Sequence, residues 1–266
     1  MSRDLVSSRW PRWGRVLCVV AFMSALALWS RPVAAQAGSG GLKRTSDWKP
    51  DLNGVWQIVN SAYANLEPHH ALPGMPGGMG VVEGGEIPYK PEALAKRNAN
   101  FEKRAALDPV NRCFLPGVPR VMYVPYPFQI AQTPKYMAMA FEFAHAARII
   151  YTDGSPHPAP LDFWMGDSRG RWEGDTLVVE TTHFNDRTWF DMAGNHHSEA
   201  LKVIERFTPT ADGLRMNYEV TIDDPQVFTR PWKMSMPIYK RVEPNIQIID
   251  YDCVDHFWTE QLSKKK

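Results

Sequence analysis

The strongest constraint on the fold is a series of short runs in which apolar and polar residues alternate. In the run GLRMNYEVTI, apolar residues occupy every second position: Leu214, Met216, Tyr218, Val220 and Ile222. The run WKMSMPIY repeats the pattern with Trp232, Met234, Met236 and Ile238. Because successive side chains of a β-strand point to opposite faces, this period of two predicts strands with one buried and one exposed face.

Similar runs fill most of the chain after residue 120: VMYVPYPFQIAQT, YMAMAFEF, ARIIYT, LDFWM, DTLVVETTHF, ALKVIERF and IQIIDYDCV. Clusters of turn-forming residues separate the runs, including Thr133-Pro134, Asp153 to Pro156, Asp167 to Gly170 and Ala211 to Gly213. Short connections favour an antiparallel arrangement. We therefore predict a mainly β fold: a single antiparallel meander that closes into a calycin-like barrel, or forms a sandwich, with one short N-terminal helix.

The remaining segments are assigned by their glycines, prolines and charges. Residues 51–260 are predicted to form a single β-rich domain, which begins with the strand DLNGVWQIV. The glycine- and proline-rich stretch 71–91 predicts a long loop, and Pro91 begins a helix predicted over about 91–107. Residues 38–50 are expected to be a flexible lead-in, and residues 261–266 a basic tail.

The first 37 residues have the three parts of a secretory signal peptide. Four arginines precede an apolar run from Val16 to Trp29, and small residues follow at Val33, Ala35 and Ala37. This run is short for a membrane span. We therefore expect a periplasmic or secreted protein with no stable membrane insertion after signal cleavage, and an uncleaved anchor is the alternative.

Cleavage would leave a mildly acidic chain. Residues 1–35 contain five basic residues and one acidic residue, so 30 basic and 29 acidic residues become 25 and 28. This balance argues against nucleic-acid binding. Cys18 lies in the predicted signal, which leaves Cys113 and Cys253. In an oxidising compartment such a pair is expected to form a disulfide, and two separate buried thiols are the alternative.

Two resemblances add to these patterns. Gly54-x-Trp56 resembles the G-x-W signature of lipocalins and other calycins, in which the tryptophan closes one end of a barrel. The segment from Asp108 to Cys253 resembles a large, poorly characterised family of secreted bacterial proteins in the blocks DPVNRCFLPGVPR, PYPFQIAQTP, RIIYTDGSPHP, WEGDTLVVET, FNDRTWFD, HSEALKVIERF and DDPQVFTRPW. The second resemblance implies export but no particular reaction.

The stretch Gly166-Asp167-Ser168-Arg169-Gly170 matches the G-x-S-x-G pattern of serine hydrolases. A nucleophile elbow requires a strand before the serine and a helix after it. Here the chain continues through RWEGD into another predicted strand. We therefore interpret Ser168 as a residue of a hairpin turn rather than as a nucleophile.

The loop NDRTWFDMAGNHH, residues 185–197, is longer than a hairpin needs and concentrates acidic, histidine and aromatic residues. Long loops in compact domains are often functional, and a carboxylate can orient a histidine for acid–base catalysis. We predict a catalytic group in which Glu205 points inward and meets His197; its members are His197, Asp186, Asp191, Glu205 and His183. The alternative is that the aspartates cap turns and the histidines fill gaps.

Metal binding is the next possibility for the histidines. His183, His196 and His197 are suitable donors, but their spacing matches no diagnostic metal motif, and adjacent histidines rarely reach one ion. We therefore predict no metal and no cofactor.

Aromatic and basic residues near strand ends are candidate substrate-binding groups: Trp164, Trp189, Tyr126, Arg120 and Trp232. Because buried charge must be paired, an arginine–carboxylate network is the alternative for the charged members. With the methionine-rich strand faces, the aromatic residues could line a cavity for an apolar or aromatic small molecule.

The sequence thus favours an enzyme that acts on such a molecule in a barrel pocket by acid–base chemistry, as a lyase, an isomerase or a hydrolase without a covalent serine. A non-catalytic, lipocalin-like carrier and a surface-binding module are the alternatives. The oligomeric state stays open.

Overall fold

The computed structural model describes residues 41–158, 161–251 and 253. These residues form a closed barrel of nine strands, which confirms the predicted barrel. The strands are β1 (Gly54–Gln57), β2 (Phe128–Gln132), β3 (Tyr136–Phe141), β4 (Ala147–Tyr151), β5 (Asp167–Glu173), β6 (Thr176–Thr182), β7 (Lys202–Pro209), β8 (Arg215–Asp223) and β9 (Trp232–Lys240). The predicted signal peptide, 1–37, and the predicted basic tail, 261–266, lie outside the described residues.

Short helices lie between β1 and β2. They are α1 (Pro91–Glu102), α2 (Arg104–Leu107) and α3 (Arg120–Tyr123), with 3-10 turns at Pro109–Arg112 and, after β3, Phe143–His145. Helix α1 begins at Pro91 as predicted, because the N–H that proline lacks would have no intrahelical partner at that position. The single helix predicted over about 91–107 is two helices that meet at Lys103.

Successive strands pair antiparallel with one exception, and β1 pairs with β9 to close the barrel. Strands β4 and β5 are parallel and share only two residue pairs, Ile150 with Ser168 and Tyr151 with Arg169. Residues 152–166 separate these strands, a connection long enough for a parallel crossover, which a two-residue hairpin cannot make. The prediction of a wholly antiparallel meander is therefore wrong at this junction.

Several local assignments also differ from the prediction. The segment LDFWM, residues 161–165, forms a single bridge between Phe163 and Phe184 rather than a strand. In the run IQIIDYDCV, the described residues 246–251 and 253 are not in a strand. The run predicted to begin at Val121 is helical first, and its strand begins at Phe128.

The hairpin between β5 and β6 turns later than expected. Asp167 to Gly170, predicted as a turn, is the start of β5, and the turn lies at Gly174-Asp175. Gly174 has a φ of 61°, the left-handed conformation that tight hairpin turns require and that glycine adopts without steric cost. The hairpin therefore forms around this later glycine.

The alternation predicted for β8 and β9 is confirmed. Its apolar residues from Met216 to Ile222 and from Trp232 to Ile238 are at most 5% exposed, whereas Leu214, which precedes β8, is 50% exposed. Inward-facing side chains from β1 to β4 and from β6 to β9 belong to one hydrophobic cluster. The inside of the barrel is therefore a packed core.

Trp56 of the Gly54-x-Trp56 segment is buried in this core. Its indole Nε1 donates a hydrogen bond to the Leu52 carbonyl at 2.8 Å, and Lys240 Nζ lies 5.0 Å from its ring centroid. The indole N–H is thus satisfied locally and the ring face is covered by a strand-end cation.

Segments outside the barrel are tied to it. Loop residues Val81 and Glu83 exchange backbone hydrogen bonds with Ser235 and Lys233 of β9. In the lead-in, the described residues 41–50 include Arg44, which donates to both carboxylate oxygens of Asp175.

Cys113 and Cys253 form the predicted disulfide, with Cα atoms 5.7 Å apart. Within the described ranges, none of the helices has the length and hydrophobicity needed to span a membrane.

Candidate functional site

An ion pair lies inside the barrel, between Arg148 of β4 and Glu205 of β7. The Arg148 guanidinium contacts both Glu205 oxygens, and both side chains are at most 3% exposed. Tyr218 Oη donates to Glu205 Oε1 at 2.7 Å. Arg148 also donates to Ser168 Oγ and Thr181 Oγ1, each at 3.0 Å. This satisfied network matches the arginine–carboxylate alternative for buried charge.

Ser168 is a member of this network. It is 2% exposed, and its hydroxyl shares a 3.0 Å hydrogen bond with Thr181 Oγ1 in addition to accepting from Arg148. Strand β5 continues from Ser168 through a hairpin into β6, so the strand–turn–helix context of a nucleophile elbow is missing here. The interpretation against a nucleophile is supported, but the predicted place in a hairpin turn is wrong.

Asp191 organises the loop 185–197 from a fully buried position. Its carboxylate accepts hydrogen bonds from the backbone N–H groups of Leu66, Ala193 and Asn195 and from the side-chain amide of Asn195, at 2.6 to 3.3 Å. Burial raises the pKa of Asp191 to about 6, although these hydrogen bonds act to lower it. All these contacts are internal, which favours the turn-capping alternative.

His197 is 1% exposed and has a partner at each ring nitrogen. Nδ1 lies 2.9 Å from the Ser198 carbonyl and therefore donates, so Nε2, 2.7 Å from Thr188 Oγ1, accepts. Burial lowers the pKa of His197, which keeps the ring neutral. These contacts favour a packing role for His197, and its catalytic role stays a prediction.

The predicted meeting of Glu205 with His197 is absent among the hydrogen bonds of the described residues. Glu205 bonds to Arg148 and Tyr218 instead. Asp186 is exposed. His196 is buried, its ring stacks on Tyr89 at 5.9 Å between centroids, and burial lowers its pKa to about 4. The loop thus separates the residues that the sequence suggested would act together.

A second histidine–carboxylate group lies on the outer face of the β5–β6 hairpin. His157 Nδ1 is 2.6 Å from Asp167 Oδ2. The ring of His183 stacks on that of His157, with centroids 5.2 Å apart and planes at 26°. Arg169 donates to both Asp167 oxygens, at 2.7 and 2.9 Å. His183, one of the predicted catalytic residues, is therefore in contact with His157.

Strand geometry places this group. Antiparallel pairing sets Asp167 opposite Thr182 and Arg169 opposite Glu180, and alternate residues of a strand share a face. Burial would raise the pKa of Asp167, but hydrogen bonds from Arg169 and His157 outweigh it and hold that pKa below its ordinary value. The carboxylate beside His157 is therefore ionised at neutral pH.

A surface pocket of about 250 Å³ adjoins the group, and its lining includes Tyr151, Ser155, His157, Arg169, Arg171 and Glu180. The His157 side chain is 26% exposed, and its Nε2 is 4.0 Å from Glu180 Oε1. Arg169 is fixed by a 2.6 Å hydrogen bond to Ser155 Oγ and lies 4.5 Å above the Tyr151 ring. His157 thus has one ring nitrogen held by a carboxylate and a partly exposed ring at a pocket wall.

The predicted substrate-binding residues are dispersed. Arg120 is buried in a bidentate pair with Asp108, with both N–O distances 2.7 Å. Trp232 is 2% exposed and Trp189 9% exposed. Tyr126 is half-buried and Trp164 is half-buried. Of the five, only these last two have rings partly open to solvent.

No group of three or more histidine, cysteine, aspartate or glutamate side chains in the described part of the chain is arranged to hold a metal ion. Comparison with known proteins gives no match to a family model and no match to a curated protein.

No functional role was predicted from the sequence for His157, Asp167 or Glu180. A signal was present, because Asp167 and Arg169 alternate with Ser168 and Gly170. Read as a strand, this segment has a charged face and a small, uncharged face. Its glycine and aspartate residues, which are common in turns, favoured the prediction of a turn instead.

Proposed function

We propose that this protein is an exported enzyme, periplasmic or secreted, that transforms an apolar or aromatic small molecule by acid–base chemistry. His157 is the proposed acid–base residue, Asp167 orients it, and the pocket beside it receives the reacting part of the substrate. The single observation that carries the proposal is the 2.6 Å contact between His157 Nδ1 and an ionised Asp167 at the wall of an open pocket.

The tautomer follows from the hydrogen bond. Asp167 is an acceptor, so His157 Nδ1 carries the proton and Nε2 carries the free lone pair. Nε2 can take a proton from a substrate carbon or from a water molecule, and Glu180 Oε1 lies 4.0 Å from this nitrogen. The ring can then return the proton to a leaving group or to a different carbon of the substrate. This sequence of steps suits a lyase, an isomerase or a water-activating hydrolase.

A lipocalin-like carrier is the second candidate, and the closed calycin-like barrel favours it. Carriers of this kind hold apolar ligands inside the barrel. Here the inward side chains pack against one another, and the interior also contains the ion pair of Arg148 and Glu205. This interior suits a core better than an apolar chamber, which favours chemistry at the outer pocket.

The test is a broad panel of aromatic and apolar esters, epoxides, enol ethers and β-hydroxy compounds, with products identified by mass spectrometry. We expect turnover by the wild-type protein, a loss of roughly 100-fold or more in His157→Asn, and a smaller loss in Asp167→Asn. His70→Asn, at an exposed histidine of another loop, is the matched control. Ligands that bind but are recovered unchanged across the panel and from pH 5 to 9 would support the carrier instead.

A further inference from the structure

A groove separate from the His157 pocket is lined by aromatic and basic residues. It has a volume of about 330 Å³ and lies between α2, the 3-10 turn that follows α2, and the segments around Trp164 and Arg187. Leu107 and Phe114 line it and are 49% and 47% exposed, so its apolar surface is open to solvent. Apolar side chains that line one concave surface are available to contact a ligand there.

The aromatic wall is preformed. Phe114 and Trp164 stack with ring centroids 5.0 Å apart and planes at 19°. The planar ring of a ligand can extend this stack as a third ring without reorganising Phe114 or Trp164, because offset stacking is the preferred aromatic geometry. Ligand pockets run from about 300 to 1,000 Å³, so this groove is sized for a small ligand with one or two rings.

A cation borders the stack. The Arg187 guanidinium carbon lies 6.0 Å from the Trp164 ring centroid, and Arg187 is exposed. Within the described residues, Arg187 forms no ion pair with a carboxylate. A guanidinium binds a carboxylate through paired N–H groups.

We infer that this groove binds planar aromatic carboxylates, whose rings stack on Trp164 and whose carboxylate pairs with Arg187. Neutral aromatic molecules make the stacking contact alone and bind more weakly. Anions without a ring make the charge contact alone. The site is distinct from the His157 pocket, and the inference does not depend on catalysis at that pocket.

The test is isothermal titration calorimetry of the full chain with 2-naphthoate and with its neutral analogue 2-naphthalenemethanol. Arg187→Gln should weaken 2-naphthoate binding about 10-fold and change 2-naphthalenemethanol binding less than 2-fold. Trp164→Ala should weaken both ligands at least 10-fold. Arg215→Gln, at an exposed arginine of β8, is the matched control and should change neither.

Three results would overturn the inference. The first is equal weakening of both ligands by Arg187→Gln, and the second is no binding of 2-naphthoate to the wild-type protein or to any variant. The third concerns the chain's own C-terminal segment, which contains Phe257 and Trp258 and follows the cysteine bonded to Cys113. Binding that appears only in the full-length variant Phe257→Ser/Trp258→Ser would assign the groove to that segment rather than to a free ligand.

Discussion

Among the described regions that combine histidine with aspartate, two differ sharply in their surroundings. In the loop 185–197, Asp191 and His197 are buried, and their polar atoms bond to backbone and side-chain groups of the fold. On the outer face of the β5–β6 hairpin, Asp167 holds one nitrogen of His157 while the imidazole is 26% exposed beside a pocket. The first arrangement stabilises a loop, and the second leaves a proton acceptor accessible.

The difference shows that residues which are close in sequence and carry titratable groups need not form one site. A general base needs one oriented nitrogen and one that is available to substrate. His197 is buried with internal partners at both nitrogens, so neither nitrogen is open to a substrate in this structure. The predictions below compare the two regions with each other and with the ion pair inside the barrel.

The largest effect is expected at the buried ion pair. Glu205→Ala leaves the Arg148 charge buried without its carboxylate, which should lower the free energy of unfolding by about 3 to 5 kcal/mol. Urea denaturation followed by circular dichroism measures the change. Glu219→Ala, at an exposed glutamate of β8, is the control and should change stability by less than about 0.5 kcal/mol. A loss as small as the control's would show that the network is not structural.

The two aspartates should respond differently to the same substitution. Asp191→Ala removes the acceptor of several buried N–H groups and should cost about 2 to 4 kcal/mol of stability. Asp167→Ala should cost less, about 1 to 2 kcal/mol, because its partners Arg169 and His157 remain partly exposed to solvent. Thermal denaturation of both variants at pH 7 makes the comparison, and equal losses would remove the distinction between the regions.

The third effect is a pH dependence that comes from His196. Its pKa is lowered by burial to about 4. As the pH falls below the ordinary histidine pKa, His196 becomes protonated in the unfolded chain but stays neutral in the folded protein. The free energy of unfolding therefore decreases until the pH reaches about 4.

Between these limits, wild-type stability should fall relative to His196→Gln by at most about 3 kcal/mol. Urea denaturation at half-unit pH steps measures the difference between the two proteins, which cancels contributions from Asp191. His70→Gln, at an exposed histidine, should leave the wild-type pH profile unchanged. Parallel profiles for wild type and His196→Gln would contradict the lowered pKa.

The smallest effect is expected at Ser168. Ser168→Ala removes one hydrogen-bond partner of Arg148 but leaves its carboxylate, so stability should fall by about 1 kcal/mol and turnover should persist. A fluorophosphonate probe should not label the wild-type protein at this position, because the hydroxyl is buried. Stoichiometric labelling of Ser168 would reverse this interpretation.

Sequence periodicity predicts much of the barrel. Alternation over Met216 to Ile222 gives the buried face of β8 correctly, because pleated strands alternate their side chains whatever their neighbours. The parallel pairing of β4 with β5 is not predictable in the same way, since it depends on where a long connection returns the chain. The segment LDFWM has strand-like composition, but it meets a partner only at Phe163.

The candidate site is less predictable than the fold. His157 lies in the connection between β4 and β5, and Asp167 lies at the start of β5, so their contact depends on the path of that connection. The sequence also predicts a turn at Asp167 to Gly170, and without a strand there the outward face of β5 cannot be assigned. Cys113 and Cys253 are predictable as a pair because only two cysteines follow the predicted signal. His183 was selected for the loop beside it, yet its contact is with His157.

The most direct test compares His157→Ala with His197→Ala, using a substrate found in the panel. Each variant is characterised by kcat/KM and by its free energy of unfolding. We expect His157→Ala to lower kcat/KM by roughly 100-fold or more and to lower stability by only about 1 kcal/mol, the cost of one hydrogen bond to Asp167. His197→Ala should lower stability by about 2 to 3 kcal/mol while its folded fraction keeps kcat/KM within a few-fold of wild type. The opposite result, with activity lost in a stable His197→Ala and retained in His157→Ala, would place the chemistry in the buried loop and contradict the account.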